Sequence, residues 1–445
     1  MRNGRGHDFQ ASLLQRRDHG DSAPTQAGAG RVARLRGPRR RGAGHGRPGG
    51  RGTAARPATA VDCTGHTTRD TTSDPTRNTT SDRLPELDPQ ALRQALSSAP
   101  DRVTGVLARV SGPDGHWTGT YGAADITTGA PVPVAGRFRL GSVTKTFIAT
   151  VMLQLAAEHR VDLDQPVQHY LPDVLPDSYP PIPVRTLLNF TSGLPELSQD
   201  DLPTTPDGIV AHRFDDHPLA ELVAKAVRHE RPFTEPGCMQ AYGATGYYVA
   251  AMLVEHLTGH TYQQEITTRI LQPLHLRDTT APQTDTTIPG PHSHGYIAVP
   301  RPDGGSQLVD ITEQAPGAGG MIATTADLDR FLTALFRGQL LPPTEQAELF
   351  DVPDVPYLGS TDHDPGQGRA YYAAGLMRVT LPNGVTVWGE DRHHLRLHQR
   401  HVHHPRPAPP PGVLLQPHHR RRQRPRPGHP DPVRGLRPLS VAPHG

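Results

Sequence analysis

Lysine is nearly absent from this 445-residue chain. Of its 46 Lys and Arg residues, only Lys145 and Lys225 are Lys. Positive charge is written as Arg, so each Lys stands out. Aromatic residues make up 5% and apolar residues 34%, beside 45 Gly and 48 Pro, a composition too lean for the whole chain to pack. The two cysteines, Cys63 and Cys238, make no disulfide framework, and both thiols are expected to be free. No run approaches the ~18 to 20 continuous apolar residues of a membrane span. No apolar segment of signal-peptide type follows the N-terminus in the chain as given. A net charge of +2 singles out no class of partner.

Residues 1–84 offer no periodic apolar face. The first 60 carry 13 Arg among Gly, Pro and Ala, and residues 64–84 are rich in Thr, Asp, Arg and Ser. A basic arm for nucleic acid is one reading. A non-native start or an out-of-frame translation is the other. The second is preferred, because no aromatic or recognition motif accompanies the Arg. No nucleic-acid partner is expected.

The chain is organised around Arg137-Phe138-Arg139-Leu140-Gly141-Ser142-Val143-Thr144-Lys145-Thr146-Phe147. This reads as a strand end, a Gly turn and a helix opening on Ser142. Residues three apart share a helix face, so the Lys145 amine can reach the Ser142 hydroxyl. A serine hydroxyl needs a base beside it to become a nucleophile, and a desolvated lysine can serve. A helix N-terminus also favours developing negative charge. The bland alternative is a helix-capping Ser with a solvated Lys. The apolar run from Phe147 to Leu155 marks a helix buried nearly all round.

The stretch from Phe138 to Phe147 resembles the first box of the serine β-lactamase and penicillin-binding superfamily. The nearest branch holds class C β-lactamases, D-alanyl-D-alanine carboxypeptidases and related esterases. The resemblance runs over about residues 85 to 389. Val184 to Pro195, with Leu187-Leu188-Asn189-Phe190-Thr191-Ser192-Gly193-Leu194-Pro195, resembles a stretch shaping the cleft floor; Phe190 replaces the usual His, a change expected to be neutral for catalysis. After Pro236-Gly237, Tyr242 falls on the family's tyrosine, which implies a proton shuttle beside Ser142 and Lys145. A half-buried loop tyrosine is the alternative. Ala244 stands where the family has an Asn that holds the substrate amide, which favours esters over amides. Gly317 to Leu328 resembles the family's Gly-rich stretch, where Gly319 and Gly320 let backbone approach the cleft; Thr325 is expected to cap the helix that follows.

Around these boxes, Leu87–Leu96 reads as a helix capped by Asp88 with Pro89 at its first turn. Val103–Val110 and Trp117–Ala123 read as a hairpin, and Tyr371–Val379 and Val385–Gly389 as strands. The family then has Lys- or His-Thr-Gly. Here stand Glu390-Asp391-Arg392-His393-His394, and residues 391–445 hold 11 Arg, 10 His and 12 Pro. Histidine clusters there invite a metal reading, but no carboxylate set or fixed element supports it. Glu390 to Arg396 can be written in codons whose next reading frame spells Lys-Thr-Gly-Thr-Ile-Phe-Gly, so a frame slip accounts better for the tail.

The expected fold is α/β: an antiparallel sheet flanked by helices, a helical subdomain around residues 160–315, and C-terminal strands lost. The expected domains are 1–84 without fold, 85–389 as the hydrolase domain, and 390–445 as an Arg/His/Pro-rich tail. The resemblance implies a cofactor-free, metal-free serine acyl-enzyme hydrolase. Ser142, Lys145 and Tyr242 are its catalytic candidates, and Ala244, Gly319 and Gly320 line the substrate. It implies a small peptide, β-lactam or ester substrate, a monomer, and a place in the cell envelope or outside the cell. A non-catalytic penicillin-binding-like protein is the competing reading. Without its third box, the chain is expected to be a poor enzyme.

Overall fold

The computed structural model describes residues 87–98, 103–112, 115–359, 366–381, 384–390, 400–402 and 412–419. They fall within one compact unit, Ala58–Gly445; the unit Met1–Pro57 and the remainder of the expected N-terminal segment lie outside the described residues.

The opening helix runs Pro89–Ser97, and the Asp88 carboxylate accepts from the backbone N–H groups of Gln90 and Ala91, as the sequence implies. Two long strands follow, Val103–Gly112 and Gly115–Asp125, paired antiparallel with Val110 opposite Trp117. The short strand Ala130–Pro131 extends the sheet beyond the second. The structure differs from the sequence reading at the other edge. The backbone of Gly412–His419 pairs with Val103–Gly112, and Arg400–Val402 pairs outside it. That edge is therefore not left open. The first strand's outward N–H and C=O groups demand a partner, and Val413-Leu414-Leu415 is the one aliphatic run in the tail.

The serine helix spans Thr144–Ala157 after a 3-10 turn at Gly141–Val143, and every residue from Thr144 to Leu153 is buried. Two of its threonines satisfy their hydroxyls on carbonyls: Thr146 on Gly375 at 2.7 Å and Thr150 on Thr146 at 2.7 Å. The Phe147 ring stacks on Phe331 with centroids 3.8 Å apart. Phe331 lies on the helix Thr325–Phe336, which is pinned to the first strand where Asp329 accepts from Arg109 Nε at 2.8 Å and Ser111 Oγ at 2.5 Å. Thr324, not the expected Thr325, caps this helix; its hydroxyl accepts from the Asp327 N–H, while Thr325 already has helical backbone.

Most of the regular secondary structure in the region 160–315 is helical, but it also holds a hairpin, Tyr296–Pro300 with Ser306–Asp310. Its longest helix, Thr245–Thr258, ends on Gly259 in the left-handed region, φ 75°. The expected strand Tyr371–Val379 shrinks to Met377–Thr380, paired with Thr386–Gly389. Gly375, at φ 67°, turns the chain back before it, and Ala373 N–H bonds to Leu376 O across the turn. Cys238 is disulfide-bonded, which corrects the expectation of a free thiol there. Through-space proximity, which sequence spacing does not encode, decides pairing. Cys63 lies outside the described residues.

Candidate active site

Ser142 enters the site from a tightly held turn. Gly141 has φ 57°, a conformation that favours glycine, and Leu140 N–H bonds to Met321 O at 2.7 Å. Just before it, buried Arg139 donates to the carbonyls of Thr286, Gln314 and Thr312 at 2.5, 3.1 and 3.3 Å. Arg139 thereby ties the strand that leads into Ser142 to the 286–314 segment. Neither anchor is visible in the sequence, where Arg139 is one Arg among many.

Ser142 and Lys145 are each 8% exposed. Lys145 Nζ donates to Ser142 Oγ at 3.0 Å and to the Tyr242 hydroxyl at 3.2 Å. The three expected catalytic residues are thus brought together, although Tyr242 lies 97 positions from Lys145. The Tyr242 hydroxyl donates in turn to Glu390 Oε1 at 3.0 Å, and Glu390 is 2% exposed. The ammonium also lies 5.1 Å from the Tyr242 ring centroid and 5.8 Å from that of Tyr247. Burial pushes the Tyr247 phenol well above its ordinary range, and the Glu390 charge adds to this, so Tyr247 stays neutral; its hydroxyl donates to Leu188 O at 2.7 Å.

Two further residues support the region of Tyr242; the sequence singles out Phe190 only as a replacement for the usual His, and Gln240 not at all. Phe190 adopts φ 62°, and its ring lies 4.7 Å from that of Tyr242 and 5.0 Å from that of Tyr372. It is therefore a packing support for the tyrosine. Gln240 is fully buried. Its Nε2 donates to Asn189 O and Tyr372 O, both at 2.8 Å, and its Oε1 accepts from Tyr371 N–H and Tyr372 N–H, both at 3.0 Å. This side chain joins three segments directly behind the site.

Ala244 precedes the helix Thr245–Thr258, and its N–H donates to Glu196 Oε2 at 2.8 Å; Thr245 N–H donates to Oε1 at 3.0 Å. Glu196 as a residue is exposed, yet its carboxylate packs against Gly243, where a Cβ would come within 2.2 Å of Oε1. Enclosure of that carboxylate raises its pKa, and the two N–H groups and the Lys145 charge act against this. Glu196 directly follows the cleft-floor stretch, but only folding carries it under residue 244. Gly319 lies against the Ser142 turn, a Cβ there falling 3.4 Å from Gly141 O. Gly320 has no room for a side chain, since a Cβ would meet Pro316 O at 2.2 Å.

Among the described residues no His, Cys, Asp and Glu side chains cluster as a metal site, and no helix is long and apolar enough to cross a membrane. The His-rich segments, where no metal site is expected, fall largely outside the described residues.

An antiparallel sheet against helices, with Ser142 and Lys145 one turn apart at the head of the buried helix, is the architecture of the serine β-lactamase and penicillin-binding superfamily. The beta-lactamase family model matches residues 92–407, and the chain belongs to that family. Esterase EstB of Burkholderia gladioli is 29% identical over 57% of this chain and 71% of its own length. Penicillin-binding protein 4* of Bacillus subtilis is 24% identical over 55% of each chain, so this chain spans about half the length of that relative. Among solved structures, a D-stereospecific amidohydrolase from Streptomyces sp. is 33% identical, with a TM-score of 0.64, over 75% of this chain and 94% of that one. D-amino acid amidase from Ochrobactrum anthropi, solved with D-phenylalanine, is 27% identical, with a TM-score of 0.61, over 74% and 91%. The family comprises serine hydrolases, including esterases, amidases and penicillin-binding proteins.

Proposed function

We propose that this chain is a serine acyl-enzyme hydrolase. Ser142 attacks a carbonyl, Lys145 and Tyr242 carry its proton to the leaving group, and water releases the acyl group. The hydrogen-bonded run from Ser142 through Lys145 to Tyr242 carries this reading, because it joins a nucleophile to two proton carriers and both Ser142 and Lys145 are nearly buried. No cofactor enters the scheme. Gly319 and Gly320 give the substrate backbone access beside the serine turn, and Ala244 leaves room where the superfamily has an amide side chain.

The substrate is a small carbonyl compound built on a D-amino acid. The D-specific names of two similar structures support this, as does the resemblance to D-alanyl-D-alanine carboxypeptidases. Esters are turned over faster than amides, since Ala244 cannot hydrogen-bond an amide. β-Lactams acylate Ser142 by the same attack. The resemblance to penicillin-binding proteins supports action in the cell envelope or outside the cell.

The test is covalent labelling with a fluorescent β-lactam, followed by hydrolysis of D- and L-aminoacyl p-nitrophenyl esters. Labelling of the wild type that is lost in Ser142→Ala, with D-ester turnover above L-ester turnover, is expected. Labelling without turnover would establish the non-catalytic binder instead. Undiminished labelling of Ser142→Ala would remove Ser142 from the scheme.

A further inference from the structure

Glu390 extends the hydrogen-bond chain of the site beyond Tyr242, and the scheme above gives it no task. It directly follows the strand Thr386–Gly389, where Met377 pairs with Gly389 and the Trp388 ring meets Phe350 edge-on at 5.0 Å. The carboxylate is therefore delivered by a paired, packed element. It is 2% exposed and accepts from the Tyr242 hydroxyl at 3.0 Å, itself 3.2 Å from Lys145 Nζ. The superfamily it resembles places a Lys or His at the corresponding point. The local charge is thus reversed.

Among the described residues, the titratable groups around Lys145 include the phenols Tyr242 and Tyr247 and two acids, Glu390 through Tyr242 and Glu196, which follows the cleft-floor stretch and accepts from the Ala244 and Thr245 N–H groups. A carboxylate within ~4–6 Å of an amine favours its ammonium form, and burial strengthens the attraction. An ammonium cannot accept the Ser142 proton. Meanwhile Tyr242, donating to Glu390, presents a lone pair to the Lys145 N–H and is held as the neutral phenol.

We propose that Glu390 is a positioning residue that keeps Lys145 as an ammonium and Tyr242 as its neutral acceptor, so that Ser142 becomes reactive only at higher pH. The kinetic consequence rests on the hydrolase reading; the protonation claim does not.

The scarcity of lysine makes a direct test possible. The full chain is pulse-acetylated with acetic anhydride across a pH series, and Lys145 and Lys225 are followed separately by mass spectrometry, with Lys225 as internal reference. In Glu390→Gln, Lys145 is expected to react at a pH lower by about one or more than in the wild type, with Lys225 unchanged. Glu390→Asp, which keeps the charge, is expected to stay near the wild type. Coincident Lys145 profiles for wild type and Glu390→Gln would overturn the proposal, as would equal displacement in Glu390→Gln and Glu390→Asp. In parallel, the acid limb of kcat/KM for a neutral ester is expected to move down with Lys145, raising turnover at pH 7 about tenfold or more. Loss of turnover in Glu390→Gln at an unchanged melting temperature would make Glu390 a proton acceptor and overturn it too. If Lys145 reactivity shifts but the kinetic limb does not, Glu390 stands and the role of Lys145 as the base falls.

Discussion

Replacing Lys145 probes both halves of the site at once. In Lys145→Ala the serine loses its 3.0 Å partner and Tyr242 its 3.2 Å donor. Loss of a positioned general base costs about 10² to 10⁴ in rate, which is about 2.7 to 5.5 kcal/mol of barrier. A second effect acts on folding. Lys145 is 8% exposed and its charge lies one hydroxyl away from Glu390, which is 2% exposed. Removing the ammonium leaves the Ser142 and Tyr242 hydroxyls without their donor, at about 1 to 3 kcal/mol of stability per buried group left unpaired. Lys145→Met keeps most of the volume while removing the charge and both hydrogen bonds. The assay is the acylation rate with a labelled β-lactam, measured below the melting temperature of each variant. Acylation of either variant within tenfold of wild type, with the fold intact by thermal melt, would refute the assignment of Lys145 to proton transfer. A wild-type melting temperature for Lys145→Met would refute the coupling to Glu390.

Three further outcomes follow from the packing. Gln240→Leu strips four hydrogen bonds from buried backbone groups at Asn189, Tyr371 and Tyr372; at about 1 to 3 kcal/mol per buried group left unpaired, partly relieved by relaxation, the melting temperature should fall by roughly 5 °C or more, and an unchanged melt would refute the bracing role. Phe190→Ala, at a position 5% exposed, should cost about 3 to 5 kcal/mol and depress acylation further by freeing the Tyr242 ring, which acylation rates measured on still-folded protein would detect. Ala244→Asn should raise amide or β-lactam turnover relative to ester turnover; an unchanged ratio in paired kinetic assays would mean that residue 244 does not face the acyl group.

Much of the site was legible before folding. Ser142 and Lys145 are three positions apart on a helix, so local geometry alone makes them neighbours. The buried run after them marks that helix as central, and the Asp88-Pro89 start is a local signal as well. Tyr242 could be named only through its resemblance to a box, since nothing local joins it to Lys145 across 97 positions. The lost Lys- or His-Thr-Gly could be seen from sequence, but what occupies its place could not.

The Ser142–Lys145 pair, the main helices and the first hairpin could be read from the chain alone, because each rests on contacts close along the chain. Long-range packing fixed four things: that Glu390 reaches Tyr242, that Phe190 packs on Tyr242 while Gln240 ties Asn189 to Tyr371 and Tyr372, that Cys238 is bonded, and that Gly412–His419 pairs along the edge of the first strand. Each depends on segments far apart in sequence meeting in space. The energy of such a contact comes from burial and from backbone groups seeking partners, and neither leaves a periodic trace in the chain.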